Sequence, residues 1–215
     1  QIALAIETAA QMPDGDERKK LLAATQRFEV NVHGAEIAQL AQNVYRPKPG
    51  EPPKPTPTGC KNISNDPNKL KKIGLTQDDL HVPGSNYRAQ VYEPDPAVFG
   101  DDMKTTVAFK GTDPGNMEDW QNNGAQGLDT DSMYYGKSVR IGKRLQSADA
   151  NVEITGHSLG GGLASATSRA SGKPATTFNA AGLHDDTVAH YGGTPILPTP
   201  RKLKRCGECA AWESP

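Results

Sequence analysis

Apolar positions along the chain recur first at helical and then at strand spacing. Ile2, Ile6 and Ala9 step at helical intervals, and Met12-Pro13-Asp14-Gly15 is a turn signal. A second helical stretch resumes at Asp16 and carries Leu21, Leu22, Thr25 and Phe28 on one side. A third pattern, Ile37, Leu40, Ala41 and Val44, stops at Tyr45-Arg46-Pro47, where the proline forbids continuation. Pro47 to Pro57 then holds six prolines in eleven residues. Such a stretch must be extended and solvent-facing, as a linker or a long surface loop.

Beyond it the period shortens to two. Tyr87 to Tyr92 alternates polar and apolar positions as a half-buried strand does. Thr105 to Phe109, Asn151 to Thr155 and Ala175 to Phe178 are further β-prone runs. Between them Ser132 to Leu145 reads as a helix with Asp131 as its N-cap and Tyr135, Val139 and Gly142 along one face. Leu159 to Ser171 reads as a helix of small residues, stopped by Gly172 with Pro174 beyond. Strands alternating with helices predict an α/β fold, a mainly parallel sheet flanked by helices. The expected organisation is an N-terminal helical extension over residues 1–30 and one α/β domain over residues 31–215.

A length of 215 residues suits one domain. Apolar residues at 35%, with 22 glycines, are enough to build a core. The 24 basic and 25 acidic residues leave no basic field of the kind that favours nucleic acid. No apolar run approaches the roughly 18 residues of a membrane-spanning helix. A start at Gln1 with no signal-peptide pattern reads as a fragment. Cys206 and Cys209 form one C-x-x-C pair with Cys60 far away. A zinc site needs a fourth ligand, and a redox C-x-x-C follows a strand rather than lying in a basic tail. No metal and no cofactor is expected, and the cysteines read as free thiols or as one bridge from Cys60 to the tail.

The candidate chemistry sits in Gly156-His157-Ser158-Leu159-Gly160, a G-x-S-x-G between a predicted strand and a predicted helix. That setting is the one in which the pentapeptide forms a nucleophile elbow. A serine on so tight a turn adopts strained backbone angles, so small residues must crowd it on both sides. Gly156, Gly160, Gly161 and Gly162 supply the room. The alternative, a glycine-rich phosphate loop, calls for a lysine after the glycines, where Leu163 stands. An acyl-transfer site also needs two N–H donors aimed at the developing oxyanion. Leu159 follows the nucleophile, and Thr112 closes the strand end Phe109-Lys110-Gly111-Thr112. Taken alone, that second segment also reads as an ordinary strand end capped by glycine.

Phe109-Lys110-Gly111-Thr112, Asp119-Trp120, Gly156-His157-Ser158-Leu159-Gly160-Gly161 and Thr177-Phe178-Asn179-Ala180, in this order, resemble the class 3 lipases of the α/β-hydrolase superfamily. The resemblance covers roughly residues 35 to 190. It implies Ser158 as nucleophile, with Thr112 and Leu159 forming the oxyanion hole. It also makes Ala35 to Tyr45 the family's opening helix and the proline-rich stretch a loop inside the domain. The long polar segments resemble bacterial phospholipase effectors of this family, secreted into rival cells and neutralised by an immunity protein. The implied activity is a phospholipase of A type acting on lipid at a membrane surface.

A serine hydrolase of this fold needs an acid and then a histidine after the nucleophile. The histidines after Ser158 are His184 and His190, and Asp185 and Asp186 precede His190. Asp186 and His190 are only four residues apart, on one short segment rather than two loops. The expectation is that the working pair is absent from this chain, which Pro195 to Pro198 with the cysteine-bearing tail supports; the alternative is that Asp185 or Asp186 with His190 completes the triad. His33 and His81 precede the nucleophile and read as surface or structural histidines, and His157 as a packing residue. Asp119 and Trp120 read as a helix start with a buried indole. Arg201 to Arg205 carries four charges that read as a solvated tail, or as a contact with anionic lipid. Two alternatives stand beside the phospholipase: an esterase or acyltransferase on a soluble ester, and a catalytically inactive interaction module.

Overall fold

A computed structural model describes residues 2–47, 50–52, 54–100, 103–112 and 127–198. Asp119, Trp120, Arg201 to Arg205, Cys206 and Cys209 lie outside the described residues. The chain forms two compact units that divide between Glu36 and Ile37.

In the first unit, α1 (Ile2–Gln11) buries Ala9 and ends in the expected turn, where the Met12 N–H donates to the Ala9 carbonyl at 3.2 Å. Helix α2 (Asp16–Asn43) then runs without a break. The second and third sequence patterns are therefore one helix. Gly34 lies between them in open space and costs only its propensity, about 1 kcal/mol. Asp16 and Glu17 in the first turn favour the start of α2 through the helix dipole. Continuity also resets the phase of its first half. The buried positions are Thr25, Glu29 and His33, in line with Ile37, Leu40 and Val44, while Phe28 is 46% exposed. His33 carries Glu36 beside it at 4.0 Å.

The second unit is built on a five-stranded sheet in the order β1 (Cys60–Asn62), β2 (Ala89–Pro94), β3 (Thr105–Phe109), β4 (Val152–His157), β5 (Ala175–Phe178). The first two pairings are antiparallel and the last two parallel. The split follows from the connections. Only a short segment with α4 (Pro96–Phe99) joins β2 to β3, too little for a crossover, which needs a dozen residues or more. Helices α5 (Gly127–Ser147) and α6 (Leu159–Ser171) supply the two crossovers. Helix α5 begins before the expected N-cap, so Asp131 is an internal residue. Acidic residues are tolerated in the opening turns of a helix, so the first apolar position does not mark its start.

Strands β3 and β4 are buried on both faces, as central strands are. On one face Val91, Val107, Phe109, Val152 and Ile154 pack with Leu70 of α3 (Pro67–Lys72), Ile141 and Leu145 of α5, and Leu163 of α6. On the other, Tyr92 and Ala108 pack with Ile37 and Leu40 of α2 and with Val44 directly after it. The i, i+3, i+7 spacing of those three residues is what lets the end of α2 cover a sheet. Asn43 then ties the proline-rich stretch to this layer. Its side-chain amide donates to the carbonyls of Pro55 at 2.8 Å and Lys54 at 3.2 Å, and its oxygen meets the Tyr92 hydroxyl at 2.9 Å. Burial pushes the Tyr92 phenol well above its ordinary value, against the pull of Arg88, so the hydroxyl keeps its proton for such a bond. Lys54 and Pro55 of the stretch are thus fastened to the helix end.

Helices α5 and α6 touch at Gly142, where a Cβ would come within 2.7 Å of both the Ala170 Cβ and the Thr167 carbonyl oxygen. The Thr167 hydroxyl closes the same contact by donating to the Ser138 carbonyl at 2.9 Å. Gly142→Val should lower stability by about 1–3 kcal/mol. A thermal melt should show a fall of several degrees, at about 2–4 °C per kcal/mol for a chain of this size.

Candidate active site

Strand β4 ends at His157, and α6 starts at Leu159, so Ser158 alone makes the turn from sheet to helix. Its backbone sits at φ 57°, ψ −126°, outside the comfortable regions for a residue with a Cβ. Such angles cost about 1–3 kcal/mol and persist only where the surroundings over-determine them. Here they do. The Ser158 N–H donates to the Phe178 carbonyl at 3.0 Å, and the Ser158 carbonyl accepts from Gly161 at 2.9 Å and Ala181 at 2.9 Å. The neighbouring strand end closes in from the other side. A Cβ on Gly160 would overlap the Phe109 carbonyl oxygen and lie 2.8 Å from the Gly111 nitrogen. A Cβ on Gly111 would overlap the His157 carbonyl oxygen in return. Backbone meets backbone at this junction, and only glycine permits it.

The register places Phe109 of β3 opposite Gly156 of β4. Thr112 therefore follows β3 at the same sheet end from which Ser158 projects, and both residues are half-buried. Of the amides along the strand end, Lys110 donates to the Arg88 carbonyl at 2.9 Å and Gly111 to the Tyr45 hydroxyl at 3.0 Å. Thr112 carries the next amide. Leu159, the first residue of α6, has one of the N–H groups that a helix leaves without an internal acceptor. Ser158, Thr112 and Leu159 thus stand at one end of the sheet, with the positive end of the α6 dipole beneath them.

All five histidines fall among the described residues, and none hydrogen-bonds the Ser158 hydroxyl. After β5 the chain adds no strand among those residues but returns along the helices. Asp185 pairs with Arg169 at 3.1 Å, near the far end of α6 and about 16 Å along the helix from Ser158 at 1.5 Å per residue. Asp186 lies 3.8 Å from His184. His190 ends the short helix α7 (Thr187–His190) and stands edge-on to the Tyr191 ring, with centroids 4.8 Å apart. Val188 of α7 packs with Val139, Ala166 and Ala170. Asp185, Asp186 and His190 are thereby engaged with other partners than Ser158. His81 is exposed beside the Gln77 carbonyl, at 3.2 Å from its Nδ1. Among the described residues no cluster of histidine, cysteine and carboxylate groups could hold a metal, and no helix is long and apolar enough to cross a membrane.

Sequence reasoning missed Tyr45 and Lys110. Lys110 is buried, with its ammonium 5.8 Å from the centre of the Tyr45 ring. A tyrosine directly after an apolar helix stripe was the available signal, but its partner lies 66 residues away.

If the surroundings force the Ser158 backbone, relaxing it should be measurable. Ser158→Gly should be more stable than Ser158→Ala by about 1 kcal/mol, part of the strain being offset by the greater freedom of glycine when unfolded. Paired urea melts check this, and equal midpoints would remove the strain argument.

Two comparisons with known proteins bear on the site. Residues 36–197 match the model of the phospholipase-like family described as the Tle-like phospholipase domain. Over 128 residues, 59% of this chain, the sequence is 38% identical to the extracellular phospholipase A1 of Serratia liquefaciens. The chain spans 37% of that relative's length. The matched span contains the sheet, the strained serine and both glycine contacts, and on it the chain belongs to the Tle-like phospholipase domain family.

Proposed function

We propose that this chain carries the nucleophile and the oxyanion donors of a serine phospholipase of A type. The observation that carries the proposal is Ser158, held at φ 57° on the turn between β4 and α6. The Ser158 Oγ attacks the acyl carbonyl of a glycerophospholipid. The carbonyl oxygen becomes an oxyanion, received by the Thr112 and Leu159 N–H groups. Collapse of that intermediate expels the lysophospholipid alcohol, and water then frees the fatty acid from the acyl-enzyme. A histidine takes the serine proton and hands it to the leaving alcohol in such a reaction. His190, behind Asp185 and Asp186, is in chain order for that role, and its present contacts on α7 would have to be exchanged for it.

The Serratia relative's description supports cleavage of the A1 type and a secreted protein. The resemblance to class 3 lipases and bacterial effectors supports action on rival-cell membranes under the control of an immunity protein. A second reading, an inactive hydrolase-fold module, draws on there being no histidine hydrogen-bonded to the Ser158 hydroxyl among the described residues.

A fluorophosphonate probe and phosphatidylcholine vesicles separate the two. Wild-type protein should be labelled and should release fatty acid, while Ser158→Ala should lose labelling and at least about 10³-fold of the activity. Equal labelling of both proteins would overturn the serine mechanism. Release from short soluble esters but from no vesicle would replace the phospholipase with an esterase.

A further inference from the structure

The hydroxyl of Tyr45 takes the Gly111 N–H, one residue before the oxyanion strand end finishes at Thr112. Gly111 is buried, and a Cβ there would overlap both that hydroxyl and the His157 carbonyl oxygen of the nucleophile turn, with the Gly160 nitrogen next to them. The Tyr45 ring is itself held from two directions. The Lys110 ammonium, on the same strand end, lies 5.8 Å from its centre, and the Lys54 ammonium, on the proline-rich loop, lies 5.6 Å away. Both are within the range of a cation–π contact. The loop carrying Lys54 is in turn fastened to the end of α2 through Asn43.

We infer that Tyr45 is a positioning residue for the oxyanion hole: its hydroxyl engages the Gly111 amide and so turns the next amide, that of Thr112, toward the reacting carbonyl. A buried N–H must have an acceptor, and the Gly111–Thr112 peptide plane is joined through a single Cα to the amide that Tyr45 fixes. Fixing where the Gly111 N–H points therefore fixes where the Thr112 N–H can point. Without the hydroxyl, Gly111 has to find another acceptor, and a small rotation of the Gly111–Thr112 peptide carries the catalytic donor off its line. Ground-state binding of lipid does not need that line, but the transition state does. Tyr45 thus acts through Thr112 without touching substrate. The inference rests on Ser158 as nucleophile and Thr112 as donor.

Tyr45→Phe tests it, because the ring and both cation contacts stay while the acceptor goes. Expected is a loss of about tenfold in kcat, a fraction of the 100-fold or more that follows outright removal of an oxyanion donor. Phosphonylation of Ser158 should slow by the same factor. KM, the affinity for a non-hydrolysable ether phospholipid and the melting temperature should stay near wild type. An unchanged kcat would overturn the inference. So would a parallel fall of kcat, ether-lipid affinity and melting temperature, which would mark Tyr45 as ordinary packing. Labelling of the wild type separates the two levels. If the probe never reacts at Ser158, the nucleophile reading falls and takes this one with it. If it reacts equally fast with Tyr45→Phe, only the role of Tyr45 falls.

Discussion

Two backbones meet here without a side chain between them. The end of β3 and the turn after β4 touch through Gly111 and Gly160, each against a main-chain carbonyl of the other segment. Everything proposed for the site depends on that contact. It brings the strand end that leads to Thr112 against the turn that carries Ser158, and it holds Ser158 where a residue with a Cβ would not otherwise rest.

The contact is supported from both faces of the sheet, but unequally. On the face covered by α5 and α6 the support is apolar and continuous, from Phe109 and Ile154 through Leu163 to Ile141 and Leu145. On the other face the end of α2 supplies cover together with Phe99 and Met103. Ile37, Leu40 and Val44 cover the sheet, and Asn43 and Tyr45 then turn that packing into directed hydrogen bonds. The proline-rich loop belongs to this arrangement. Prolines lower the entropy that such a segment loses on ordering, and the Lys54 and Pro55 carbonyls accept from Asn43.

Legibility in the sequence followed the range of the forces involved. Helix α6 has the predicted bounds because its start and stop are local: a strained serine before it, and Gly172 at φ 69° after it. Strands β3 and β5 also match their runs, since their β-prone residues are contiguous. Strand β1, α3, α4 and α7 passed unread, each being too short to display a period. Helix α2 read as two pieces because its polar middle hides a continuous backbone, and Asp131 read as a cap because the apolar pattern begins later than the helix. The mixed sheet was out of reach as well. A strand has the same pattern whether its neighbour runs parallel or antiparallel, and the length of the connection decides.

By itself the sequence determined a strand–turn–helix carrying Ser158, a strand end carrying Thr112, and the glycines that let the two approach. These are matters of local sterics, written residue by residue. Only the tertiary structure decided which groups surround them. Tyr45 reaches Gly111 across 66 positions of chain. Asp185, Asp186 and His190, in the right order along the chain, are carried away because the segment after β5 packs Val188 against α5 and α6 instead of adding a strand. Chain order constrains who can follow the nucleophile. Burial of apolar surface decides where those residues go, and it is blind to the chemistry they carry.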